Sequence, residues 1–185
     1  MSTQKDNLNI WLEKAETYSI PDWDALPAIP LYMDQVMMIT GDALSLFERD
    51  EKQSLLTSSM INNYVKSGLV EHPVHKKYAK EHLSKLMMTS MLKQTLSIQD
   101  LSVLFSGETD SKHLYDAFVK TQNTALHETA SELQPDMDAD ALRAAALRLA
   151  AEANARRAVA ERILLSLSQL PQAVIEESKS KKTKK

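Results

Sequence analysis

The chain has 185 residues, 43% hydrophobic and 25% charged, with a formal net charge of −3, which suits a soluble chain of one domain or one domain plus an appendage. It contains no cysteine, so disulfides, thiolate metal sites and cysteine nucleophiles are excluded together, and a reducing cytoplasm is the expected location. No apolar run approaches the roughly 20 residues that cross a bilayer, the N-terminal run MSTQKDNLNIW carries no secretion-signal pattern, and phosphate-cradling or hydrolase motifs are absent, so no membrane, enzyme or cofactor role is expected.

Residues 6–17 read as a short helix with Trp11 and Leu12 on its apolar side. Pro21, Pro27 and Pro30 make residues 20–30 an extended connector. Residues 32–47 read as helix, with Met33, Val36, Met37, Ala43, Leu44 and Phe47 available to a core. Gly41 weakens or breaks it, leaving one helix or two. Residues 48–54 read as a charged loop. In LLTSSMINNYVKSGL, residues 55–69, Thr57 suits an N-cap and Gly68 a left-handed stop, so 57–67 is predicted as a helix. Pro73 forbids a stable helix over VEHPVHKKY, and two very short strands with a turn are expected there. Residues 79–94 are helical, with Met87, Met88 and Met91 as core filling. Ser97 and Asp100 form a capping pattern ahead of Leu101, Leu104 and Phe105. Two helices follow, near 110–133 and 138–170, with Asp136, Asp138 and Asp140 at the positive end of the second. The final SKSKKTKK is expected to be a disordered basic tail.

Charge is unevenly distributed. Residues 1–50 hold three cations against nine acids, whereas residues 57–94 hold six lysines against Glu71 and Glu81. A basic segment in an acidic chain points to an anionic partner. At 100° per residue, Met60, Ile61, Tyr64 and Val65 of the 57–67 helix share one arc. Ser58, Ser59, Asn62, Asn63 and Lys66 fill the opposite arc of roughly 140°. That face has no acid, whereas ordinary solvent faces mix Glu with Lys. Asn is a poor helix former, yet its carboxamide can bond bidentately to adenine in a major groove. A merely solvated face and a DNA-reading face are equally compatible with the helix alone. His75, Lys76, Lys77 and Lys80 follow it closely, as backbone-gripping groups would in a helix-turn-helix reader.

The run from Gly68 to Phe105 resembles the DNA-binding half of the MerR regulators. Tyr64 with Gly68-Leu69-Val70 matches a Y-x-x-x-GLL helix end. Lys76-Lys77-Tyr78 matches the R-x-Y of a wing, and Ser97-Ile98-Gln99-Asp100-Leu101 with Leu104-Phe105 matches G-x-SL-x-EI-x-x-LL. The segments LYMDQV, TSSMINNYVKSGL and KKYAKEHL, within residues 26–106, resemble an uncharacterised bacterial family, domain of unknown function 1836 (DUF1836). The MerR resemblance implies a winged helix-turn-helix, with Tyr64 as a phosphate contact and Lys76 in place of the wing arginine. The chain departs from MerR in carrying Asn62 and Asn63 where Arg and Tyr are usual, and in a hairpin several residues shorter. Excisionase-type architectural proteins share this fold, so DNA bending is an alternative role.

Leu142, Ala146, Leu149, Ala153, Arg156, Ala160, Ile163, Leu167 and Leu170 alternate spacings of four and three, a heptad pattern. It fits an intramolecular hairpin with residues 110–133, a homodimer through 138–170, or both. Arg156 interrupts it and needs a carboxylate or an exit to water. His72-Pro73-Val74-His75 has H-x-x-H spacing with His82 beyond, but wing histidines are favoured over a zinc site. The expectation is therefore a mainly all-α chain: an N-terminal helix and arm (1–30), a MerR-like winged helix-turn-helix with a tiny β-hairpin wing (31–106), a helical hairpin or coiled-coil dimerisation region (107–170) and the tail (171–185). The expected function is a sequence-specific transcriptional regulator of double-stranded DNA, its effector, if any, unspecified by the sequence. It would contact DNA through Ser58, Ser59, Asn62, Asn63, Tyr64, Lys66, His75, Lys76, Lys77 and Lys80. The alternative is a non-enzymatic adaptor that keeps the fold without DNA binding. No metal or cofactor is expected.

Overall fold

A computed structural model describes residues 4–48, 54–106, 110–134 and 137–170. The basic tail and most of the charged 48–54 loop lie outside them. The described residues are mainly helical: α1 (Gln4–Thr17), α2 (Met33–Leu44) running into a 3₁₀ turn (Ser45–Phe47), α3 (Ser58–Lys66), α4 (Lys80–Leu92), α5 (Ile98–Ser106), α6 (Ser111–Ser131) and α7 (Ala139–Ser168). Gly41 lies inside α2 without breaking it. Its neighbours Val36, Thr40 and Leu44 are buried, and that tertiary packing outweighs the roughly 1 kcal/mol a mid-helix glycine costs.

Helix α4 is the centre of the core. Leu83, Leu86, Met87 and Met88 are buried on it, as are Ser84, Thr89 and Ser90, so it is enclosed on several sides, with α2 and α6 packed against it. The methionines fill the core as expected, and the Tyr115 hydroxyl touches Met87 Sδ at 3.3 Å. One apolar cluster extends from Ile20 in the arm through α2–α5 to Tyr115 and Val119 of α6. A second, smaller cluster joins Leu12 and Ala15 of α1, Leu46 and Ala130, with Trp11 donating its indole N–H to the Leu46 carbonyl.

The arm, residues 18–24, has no regular structure but is held along one face of α6. His127 Nε2 lies 2.7 Å from the Tyr18 carbonyl. Asn123 accepts from the Ile20 N–H at 3.0 Å, and Asp116 accepts from the Trp23 N–H at 3.0 Å. Lys112 pairs with Asp24 at 2.8 Å. Tyr115 donates to the Pro21 carbonyl from the same helix. The arm therefore runs antiparallel to α6. Positions 112, 116, 123 and 127 recur near the helical repeat, so they share a face.

The expected caps are in place. Ser97 and Asp100 bond reciprocally at the start of α5: Ser97 Oγ accepts from the Asp100 N–H, and Asp100 Oδ2 accepts from the Ser97 N–H. Asp138 accepts from the Asp140 and Ala141 N–H groups to start α7. Of the two arrangements the α7 heptad allows, the hairpin with residues 110–133 needs correction. The helix packs against α5, Leu164 is buried on it, and an intramolecular coiled hairpin with α6 is not the arrangement found. Tyr115, Val119 and Ala130 of α6 are already buried in the two clusters. Leu142, Leu149 and Ala160 are half-buried, while Ala146, Ala153, Arg156, Ile163, Leu167 and Leu170 are exposed. Arg156 lies in solvent beside Glu152, 3.8 Å away.

Candidate nucleic-acid interface

Helix α3 is sharply bounded. Thr57 Oγ1 accepts from the Met60 N–H at 3.3 Å. At the other end Gly68 adopts φ 73°, its N–H reaches the Val65 carbonyl, and the Leu69 N–H reaches the Tyr64 carbonyl at 3.0 Å. That pair of bonds is the Schellman arrangement, which requires a left-handed residue at this point. The two faces separate as the arc predicts. Ile61 and Val65 are buried, while Ser58, Ser59, Asn62, Asn63 and Lys66 are all exposed. Hydroxyls, carboxamides and an ammonium thus lie side by side on a face free of carboxylates.

Tyr64 is a correction to the expected contact set. It is 4% exposed, on the same arc as Ile61 and Val65. Its hydroxyl is buried without a hydrogen-bond partner, and the Lys93 ammonium sits 5.8 Å from its ring centre. A side chain so placed packs α3 onto the core and does not reach a phosphate.

The two short strands expected after α3 do not form. Among the described residues there are only isolated bridges, Val74 to Lys77 and Leu31 to Tyr78. The segment between Pro73 and α4 is too short for a ladder, and Pro73 has no N–H to contribute. What remains is a tight turn in which His75 (φ 51°) and Lys76 (φ 62°) are both left-handed, closed by the Lys77 N–H to the Val74 carbonyl at 2.9 Å. Two positive φ values at the centre define a type I′ turn, where Asn-Gly is the usual pair. Placing side-chain-bearing residues there costs about 1 kcal/mol or more at each site. His72, His75 and Lys76 are exposed at this tip, and Lys77 is half-exposed.

Lys80 is drawn elsewhere. Its ammonium donates to the Trp23 carbonyl at 2.9 Å and lies 5.4 Å from the Trp23 ring centre, so it fastens α4 to the arm. Lys85 pairs with Glu71 at 2.5 Å. Partial burial works to raise the Glu71 carboxyl, but the Lys85 hydrogen bond, a backbone hydrogen bond and the nearby positive charge together outweigh it and hold the group below the usual carboxylate range. His82 accepts the Ala79 N–H at Nδ1, 3.0 Å, and its ring edge meets Tyr78. Among the described residues, no group of three His, Cys, Asp or Glu side chains is arranged to hold a metal ion, and no helix is long and apolar enough to cross a membrane.

A family model described as Domain of unknown function (DUF1836) matches residues 21–125, more than half of the chain. The chain belongs to the DUF1836 family. No curated protein and no solved structure matches it. The DUF1836 span opens in the arm, contains α3 and the left-handed turn, and closes inside α6. It therefore includes the arm contacts made by Lys112 and Asp116 as well as the polar face of α3.

Proposed function

We infer that this DUF1836 protein is a non-enzymatic, cytoplasmic DNA-binding regulator of transcription, MerR-like in plan, with α3 laid in the major groove of double-stranded DNA. One observation carries the reading: Ser58, Ser59, Asn62, Asn63 and Lys66 form an exposed, acid-free face on a helix that is otherwise sealed into the core. Carboxamides there suit adenine edges, and the ammonium and hydroxyls suit phosphates. His75, Lys76 and Lys77 follow as backbone contacts from the turn. Tyr64 and Lys80 are left out, because one is buried and the other is held by Trp23.

The exposed part of α7 supports a homodimer. Val159 (60%), Ile163 (55%) and Leu167 (42%) are exposed large apolar residues on its last turns, and Leu170 (42%) follows just beyond them. DNA-reading winged helices ordinarily work as dimers.

The reading is tested by titrating labelled duplex DNA with the full chain at several salt concentrations. Asn62→Ala or Asn63→Ala should weaken a selected site by about 1–3 kcal/mol and random DNA hardly at all. Lys76→Ala should weaken both equally and reduce the salt slope by about one ion. The short turn and the reduced contact set favour a second reading, a protein-interaction adaptor. Salt-independent or absent binding to any duplex would select it.

A further inference from the structure

We propose that Tyr32, the N-cap residue of α2 and outside the α3-and-turn unit, belongs to the same DNA-facing surface: it positions Lys77 and lays its ring against the sugar–phosphate backbone of duplex DNA. The inference rests on the DNA-binding reading above and adds a residue that neither the helix periodicity nor the wing motif selects.

The pairing at two isolated bridges carries it. The Leu31 N–H bonds to the Tyr78 carbonyl and the Tyr78 N–H returns to the Leu31 carbonyl, both at 2.8 Å. In an antiparallel pairing the next residues, Tyr32 and Lys77, then stand opposite each other. On its other side Lys77 bridges Val74. The residue before α2 and the two sides of the 74–77 turn thus line up Tyr32, Lys77 and Val74 in one row, about 5 Å apart. Leu31 and Tyr78 point the other way and are buried.

The chemistry of the row is specific. The Lys77 ammonium lies 5.0 Å from the Tyr32 ring centre. Glu71, the acid of the 70–78 segment, is taken by Lys85, and neither Lys76 nor Lys77 has an ion-pair partner among the described residues. Tyr32 is 51% exposed and Val74 66%, so a cation stands between two apolar flanks. A nucleic-acid backbone presents the complement, a phosphate oxygen for the ammonium and deoxyribose carbons for the flanks. The adjoining His75 and Lys76 occupy strained left-handed backbone, and strain held at an exposed cationic tip is a feature of contact sites. Tyr32 acts as a stacking face for Lys77 and fixes where the charge is offered.

The test uses the full chain and a labelled duplex of random sequence, with anisotropy read across a salt series. Tyr32→Ala should weaken binding roughly fivefold, by the same factor on a selected site. Tyr32→Phe, which keeps the ring, should bind as wild type does. Lys77→Ala should flatten the salt dependence by about one ion, and the double variant should lose less than the product of the two single losses. Tyr32→Glu would capture Lys77 and repel phosphate, so it should lose more than Tyr32→Ala, and unchanged melting temperatures would separate contact from folding. Wild-type affinity in Tyr32→Ala or Tyr32→Glu overturns the assignment of Tyr32 while leaving α3 as the reader. Wild-type protein that shows no salt-dependent binding overturns the DNA reading, and this inference with it.

Discussion

Gly41 and Gly68 allow one substitution to be read in two opposite directions. A Cβ added at either position meets nothing within 4 Å, so packing contributes to neither outcome and backbone conformation decides both. Gly68 stands at φ 73°, where an L side chain costs roughly 1–2 kcal/mol. Alanine also restricts the unfolded chain, which offsets about 0.4–1 kcal/mol of that cost. Gly68→Ala should therefore destabilise by about 1 kcal/mol. Gly41 is helical, within α2, where alanine is favoured by about 0.5–1 kcal/mol. The two variants should lie on opposite sides of wild type, separated by about 2 kcal/mol, or roughly 4–8 °C in melting temperature at this chain length. Urea unfolding followed by tryptophan fluorescence reads this directly, since Trp23 packs on the core and Trp11 on the second cluster. The slope against urea should stay constant. A neutral Gly68→Ala would mean that the Schellman stop of α3 is not required. A destabilised Gly41→Ala would mean that α2 needs a hinge there.

Three further outcomes are expected. Ser97→Ala removes one half of the reciprocal cap with Asp100 and should cost about 1 kcal/mol in the same urea assay. Because the Glu71 carboxyl is held low in the folded state, the stability it contributes is present above the ordinary carboxylate pKa and is lost as pH falls through the folded value. With its side chain 61% exposed the contribution should stay below about 1 kcal/mol, and the gap between wild type and Glu71→Gln should close as pH falls through and below the ordinary carboxylate range. Ile163→Asp should convert a dimer to a monomer in light scattering while leaving the thermal unfolding of the DUF1836 span in place. An unchanged mass would remove α7 from the interface.

Local chemistry was readable wherever it was self-contained. Thr57, Gly68, Ser97 and Asp138 cap the helices their positions predict, and the polar arc of α3 is the exposed one. The same arc argument had already placed Tyr64 with Ile61 and Val65. The phosphate role implied by the MerR resemblance conflicted with it, and burial follows the periodicity. What escaped the sequence depends on partners far away in the chain. Lys80 counted as a free surface cation until Trp23, 57 residues earlier, supplied a carbonyl and a ring. Tyr32 looked like the start of a helix, and only the pairing of Leu31 with Tyr78 places it beside Lys77. In α7 the spacing alone could not choose among several apolar stripes, and the packing of α5 decided which side was covered.

The arm has a consequence of a different kind. Irregular segments ordinarily tolerate changes in length, because nothing along them must stay aligned. Residues 18–24 are fastened at Tyr18, Ile20, Trp23 and Asp24 to a series of fixed positions on α6. Removing or adding one residue would shift every later contact out of step, and the displaced Trp23 carbonyl would release Lys80 as well. This coil should accept many side-chain changes at its exposed positions and almost no insertion or deletion. In a collection of length variants it would behave like the interior of a helix, and it would be a poor place to open the chain for circular permutation.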